Sequence, residues 1–162
     1  MSRLDSFINR VTAQRACLNY LAPLVAAMPG PVLELGLGNG RTYSHLRELF
    51  PTRDIWVFEF EVAAHPDSIP PDHLLILGDF RKTIPAAPAW IGAPAPLIHA
   101  DFGSGHADKT AAMAAWLGPR LRPLLARGGY VASDQPLQVD DTEIVPLPPG
   151  AVAGSYNLRR SL

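Results

Sequence analysis

Glu34-Leu35-Gly36-Leu37-Gly38-Asn39-Gly40 joins a short apolar run to a stretch with helical spacing. Glycines in such a loop permit positive φ and let a ligand approach the backbone closely. A loop that follows a strand and opens a helix can set that ligand against free amides at the helix N-terminus. The spacing is G-x-G-x-G, and Arg41 stands where a dinucleotide fingerprint would carry its third glycine. Glu59 lies nineteen residues beyond Gly40, at the end of the second apolar run, where an acid can accept hydrogen bonds from ribose hydroxyls. Glu61 competes for that role, because it shares Glu59's side of an extended chain. Asp79, in Leu77-Gly78-Asp79-Phe80, can accept from an adenine amino group while Phe80 covers the ring. It can equally cap the helix that follows. Asp101 closes a fourth apolar run, and Gly128-Gly129 precedes a fifth that ends in Asp134.

The elements that must carry these residues follow from hydrophobic spacing. Leu4, Phe7, Val11, Leu18, Leu21, Val25 and Met28 recur at three and four, with Gln14 the one polar exception. That predicts an N-terminal helical segment over 1–28. Pro23 is expected to break it after about Leu21, since proline lacks an amide donor and clashes with the preceding turn. Strands are expected at 32–36, 55–60, 74–77, 96–100 and 130–133, with weaker ones at 142–147 and 154–160. Helices are expected at 41–50 and 107–125, the second interrupted by Gly118-Pro119. Strands separated by helices or long crossovers imply a parallel sheet. The last two strands, joined by a short Pro-Pro-Gly stretch, suggest an antiparallel hairpin at one edge.

Composition narrows the class. The 162 residues carry a formal net charge of -1, one cysteine and 17 prolines. No repeat or linker divides the chain, so one domain is expected, with an α/β core over 30–162. A near-neutral chain argues against general nucleic-acid binding. No apolar run reaches the ~18 residues of a membrane span. Arg3, Asp5 and Arg10 interrupt any signal-like apolar core. Lone Cys17 fits a reducing compartment and reads as a buried helix residue. The expected location is cytoplasmic.

Together, the E-x-G-x-G-x-G loop, the acids after runs two, three and four, and the G-G before run five resemble the class I S-adenosylmethionine-dependent methyltransferases. The likeness extends to a group of compact bacterial S-adenosyl-L-methionine methyltransferases. It covers about residues 30–160, in the family's order and rough spacing. It implies a doubly wound, seven-stranded Rossmann-like sheet of order 3-2-1-4-5-7-6 and S-adenosyl-L-methionine as cofactor. It also implies site residues. Gly36, Gly38 and Gly40, with Asn39 and Thr42, would run along the methionine and ribose. Glu34 would anchor the methionine ammonium, directly or through water. Glu59 and Phe60 would meet the ribose, and Gly78, Asp79 and Phe80 the adenine. Asp101 and Phe102 would border the methyl group and the acceptor.

Methyl transfer is an in-line displacement in which positioning supplies much of the catalysis. Asp101 and His106 are the candidate catalytic residues, His106 because a histidine titrates near neutral pH. His99 shares a strand face with Asp101 and reads as a core or supporting histidine. Asp101, Asp134 and Gln135 stand in places similar to the Mg²⁺ ligands of catechol O-methyltransferase-like enzymes, although no metal is expected. The chain has Asp101-Phe102-Gly103-Ser104 where amino-methylating relatives carry N-P-P-[FYW] or D-P-P-[FYW]. That argues against amino-group methylation of nucleic-acid bases or glutamine, and on the strand-end residues a methyltransferase with a small-molecule acceptor is expected; the alternative is a non-catalytic nucleoside-binding module that retains the fold. Seven of the 17 prolines fall between Pro66 and Pro96, which predicts extended crossovers in place of helices there. So short a chain leaves the acceptor side covered only by the N-terminal helix or by the second subunit of a homodimer.

Overall fold

The computed structural model describes every residue, Met1–Leu162. Its centre is a seven-stranded sheet of order β3-β2-β1-β4-β5-β7-β6. The strands are β1 (Val32–Leu35), β2 (Ile55–Glu59), β3 (Leu75–Leu77), β4 (Ala95–Ala100), β5 (Leu125–Ser133), β6 (Thr142–Val145) and β7 (Asn157–Ser161). The first five pair in parallel, and β7 runs antiparallel to both β5 and β6. The expected topology is the one found. The helices are α1 (Arg3–Val25), α2 (Arg41–Leu49), α3 (Phe80–Ala86), α4 (Pro88–Ile91) and α5 (Ala107–Leu121). None is long and apolar enough to cross a membrane.

Side-chain alternation divides the core into two layers. Leu33, Leu35, Phe58, Ile98 and Val131 pack with residues of α3, α4 and α5 on one face. Val32, Val57, Leu97, Ala132 and Leu158 pack with α1 and α2 on the other. Glu34 and His99 have the parity of the second set. They are register partners on neighbouring strands, so two polar side chains lie side by side beneath α1.

Three proline and glycine expectations are corrected. α1 does not break near Leu21: Pro23 lies inside it and the helix continues to Val25. So near a helix end, only the last turn loses a bond to the missing amide. α5 likewise runs through Gly118-Pro119 without interruption. A Cβ on Gly118 would sit 2.4 Å from the Gln138 carbonyl oxygen, so this glycine marks a close approach between helix and chain, not a break. The fifth strand, expected only after Gly128-Gly129, begins at Leu125 and runs through both glycines, and the register against β4 shifts between Ala95 and Leu97. The glycines accommodate that irregularity.

The crossovers divide. Only two short 3-10 turns, Pro66–Ser68 and Asp72–Leu74, join β2 to β3, as the prolines predict. Between β3 and β4 the chain is helical instead. Pro88 starts α4, where its missing amide costs nothing, and Pro85 falls in the final turn of α3. The N-terminal stripe is also only half right. Cys17, Leu18, Leu21 and Val25 are buried together with Gln14, whereas Leu4 and Phe7 are exposed.

Candidate active site

Strand order reverses between β1 and β4, and loops diverge there at the carboxyl ends, leaving a crevice. Backbone bonds set the loop starts side by side. Gly36 N donates to the Phe58 oxygen at 2.8 Å, Asp101 N to Leu35 at 3.0 Å and Asp134 N to Ala100 at 3.1 Å. Gly36 has to be glycine: at φ +96, its Cβ would lie 2.2 Å from the Asp101 carbonyl oxygen.

A groove of about 650 Å³ opens above these ends. Gly36, Gly38, Glu59, Phe60, Gly78, Asp79, Phe80, Asp101 and Phe102 all line it. A smaller crevice of about 260 Å³ adjoins it between α1 and the glycine loop, holding Asn39, Thr42, Arg10, Gln14 and Arg41. Gly36, Gly38 and Asp101 border both.

Glu59 is fastened to the glycine loop. Its Oε2 accepts from Leu37 N at 2.7 Å and Gly38 N at 3.0 Å, and its Oε1 from Phe60 N at 2.7 Å. Oε1 keeps an unused acceptor site, since each carboxylate oxygen has about two lone-pair positions. Glu61 is exposed and does not line the groove. Asp79 lines the groove, and its Oδ1 accepts from Arg81 N at 2.8 Å, so it caps α3. Phe80 is largely buried and meets Phe102 edge-on, with centroids 6.3 Å apart.

Asp101 is held from α1. Its Oδ2 accepts from Arg10 Nη1 at 2.8 Å and from Gln14 Nε2 at 2.8 Å. Asp134 turns to the backbone instead, accepting from Phe102 N, Gly103 N and Gln135 Nε2. Burial raises its carboxyl above the ordinary value, against the pull of the Gln135 bond. Asp101 thus faces α1, while Asp134 and Gln135 bond each other, and no group of three His, Cys, Asp or Glu side chains is arranged to hold a metal ion.

Three candidates lie outside the cavities. Glu34 is fully buried beneath the loop, where its Oε2 meets His99 Nδ1 at 2.6 Å and its Oε1 has no partner. Burial lifts its carboxyl above the usual range, with His99 opposing. Gly40 starts α2 at φ +84 and packs against Ser68. His106 is exposed at the N-cap of α5 and lines neither cavity.

Sequence reasoning missed Arg10, Gln14, Arg41, Lys109, Met113 and Tyr156. Lys109 and Met113 line the groove from α5. Tyr156 bonds His99 Nε2, and burial lifts its phenol well above the ordinary value. Only Gln14 left a trace in the sequence, as the polar gap in the α1 stripe.

A family model described as S-adenosyl-L-methionine methyltransferase matches residues 1–161. Among solved structures, an S-adenosyl-L-methionine methyl transferase from Silicibacter pomeroyi DSS-3 is 49% identical. It aligns over 99% of this chain and 98% of its own, with a TM-score of 0.94. The antibiotic-resistance methyltransferase Kmr shares the fold at 15% identity and TM-score 0.52, over 91% of this chain and 93% of its own. The plantazolicin methyltransferase BpumL, solved with SAH, shares it at 13% identity and TM-score 0.53, over 77% of this chain and 46% of its own. No curated protein matches the chain.

Proposed function

The chain belongs to the S-adenosyl-L-methionine methyltransferase family, and on that footing we propose that the groove above β1 and β4 transfers a methyl group from S-adenosylmethionine to a small-molecule acceptor. The observation that carries this is Glu59. Its carboxylate is locked to the glycine loop by the Leu37 and Gly38 amides, beside the open space over Gly38.

The residues present fit the cofactor. No heavy atom lies within 4 Å of where a Cβ on Gly38 would stand, so the loop leaves room for a ligand against its backbone. Glu59 and Asp79 supply carboxylates for hydroxyl and amino donors, and Phe80 and Phe102 an apolar wall. Asp101 borders both cavities, which suits the junction of nucleoside and methionine. Glu34 keeps a buried, unpartnered oxygen and could reach an ammonium only through water. A volume of about 650 Å³ falls within the ~300–1,000 Å³ of small-molecule sites.

S-adenosylmethionine, when bound, supplies an activated methyl on a cationic sulfur. The protein's share is alignment of that methyl with the acceptor, together with exclusion of water. Asp101 holds negative charge at the groove edge and orients the incoming nucleophile, whereas His106 would need the 103–106 loop to move inward. The remaining side of the crevice is covered by α1 through Arg10 and Gln14.

Calorimetry with S-adenosylmethionine and S-adenosylhomocysteine tests the site. Both are expected to bind, and Glu59→Ala to weaken binding at least tenfold; no binding at millimolar ligand refutes the proposal. Incubation of cell extract with methyl-labelled cofactor tests the acceptor class. Label is expected in the low-mass fraction, and label confined to protein or RNA overturns the small-molecule assignment.

A further inference from the structure

A line of polar side chains runs beneath Asp101, and the bonds that join them are not used in the reading above. Glu34 Oε2 meets His99 Nδ1 at 2.6 Å. His99 Nε2 meets the Tyr156 hydroxyl. Gln14 Nε2 lies 3.5 Å from that hydroxyl, 3.3 Å from His99 Nε2 and 2.8 Å from Asp101 Oδ2. Glu34 and His99 are 0% exposed, Tyr156 3% and Gln14 8%. Burying four such groups is unfavourable unless each finds a partner.

The directions of these bonds are constrained. A carboxylate only accepts, so Asp101 requires the nitrogen end of the Gln14 amide. The same NH₂ faces His99 and Tyr156, which must then offer acceptors. They do so in one arrangement. His99 donates from Nδ1 to Glu34, Nε2 accepts from the Tyr156 O–H, and the Tyr156 oxygen accepts from Gln14. Every donor then has an acceptor, ending on Asp101.

We infer that Tyr156, backed by His99 and Glu34, is a positioning residue that fixes the Gln14 amide and thereby holds the Asp101 carboxylate at the edge of the cofactor groove. Arg10 also holds Asp101, but its side chain is 40% exposed and free to follow water. Gln14 is the enclosed donor. Without the Tyr156 hydroxyl its second N–H loses that acceptor, and the amide is free to shift away from the carboxylate. This inference rests on the assignment of Asp101 to the cofactor site.

The experiment is a mutant cycle read by calorimetric affinity for S-adenosylmethionine. Tyr156→Phe keeps the ring and removes one hydroxyl. It is expected to weaken binding about tenfold, equivalent to about 1.4 kcal/mol. In an Asp101→Asn or Gln14→Met background the same change is expected to add nothing, because its effect passes through both groups. A purely architectural cluster would lower the melting temperature of each variant and leave affinity unmoved. Wild-type affinity in folded Tyr156→Phe, or losses that add across the cycle, overturns the inference. If Tyr156→Phe does not fold, Gln14→Met against Asp101→Asn decides: non-additive losses support it, additive losses refute it. A wild type that fails to bind removes the proposed site, and the inference with it. A wild type that binds while Asp101→Asn binds equally well removes the inference alone.

Discussion

Two alanine substitutions in the glycine loop separate folding from binding. Gly36 has φ +96, beyond the left-handed region that L residues visit at about +50 to +70°. The conformation alone costs an alanine about 1–2 kcal/mol. Its Cβ would also stand 2.2 Å from the Asp101 carbonyl oxygen, a backbone atom that cannot swing away. Relief needs a retreat of about 1 Å in the end of β4, and overpacking of this kind costs about 1–3 kcal/mol. The sum is about 2–5 kcal/mol, or about 10 °C of melting temperature for a chain of this size. Gly38 has φ +52, within the left-handed region, and no heavy atom within 4 Å of its would-be Cβ. Gly38→Ala should cost about 1 kcal/mol, or about 3 °C. Its methyl group enters the space assigned to the cofactor, so S-adenosylhomocysteine affinity should fall about tenfold or more. Thermal melts without ligand, followed by calorimetry, read both quantities. Gly38→Ala binding like wild type refutes the placement of the cofactor over this loop. Gly36→Ala as stable as wild type refutes the contact with Asp101.

Further outcomes follow from other contacts. Arg53 donates to the Gly30, Val25 and Ala26 carbonyls, tying the end of α1 to the start of β2. Arg53→Ala should cost about 2 kcal/mol in denaturant unfolding, and Arg53→Lys should recover only part, because an ammonium cannot span three carbonyls at that geometry. Cys17 is 0% exposed, and burial pushes its thiol up to about 11. Thiol reagents at pH 8 should therefore label it only at the rate of unfolding, and rapid native labelling would contradict its burial. Asp134 has a carboxyl raised in the folded state, so ionisation costs stability that is fully retained only below its unfolded value of 3.8. Melting temperatures of wild type and Asp134→Asn should converge near that pH, and wild type should fall behind as pH rises through the folded value. A constant gap between them would count against the assigned cause.

The central strands β1, β2 and β4 were readable because each is short, mostly apolar and bounded by glycine, proline or an acid. In β1 and β4, burial on both faces removes any alternation that could mislead. The prolines were read too literally. Pro23, Pro85 and Pro119 lie inside helices, each in a last turn where little is lost. Gly118 resembled a breaker, but the Gln138 backbone that requires it lies twenty residues away and leaves no mark on the local pattern. At the site, the groove-facing residues were legible because strand ends in such sheets point one way. The fate of Glu34 was not. A strand-end acid looks the same whether it faces ligand or core, and only the register that pairs it with His99 decides. Gln14 was visible as an irregularity in an apolar stripe, while Tyr156, its partner across the fold, carried no signal at all.

The Gln14–Tyr156 contact spans 142 positions of chain. One end is placed by α1 and the other by the segment entering β7, which pairs only with β5 and β6. Contacts of such sequence distance form late, after nearer ones have reduced the entropy of closing the loop. A partly folded molecule with β1 to β5 already zipped would own the glycine loop and Glu59, yet lack the last support of Asp101. Full cofactor affinity would then arrive with the final strand, so that binding reports completed folding, and ligand would stabilise the finished molecule over every intermediate that precedes it.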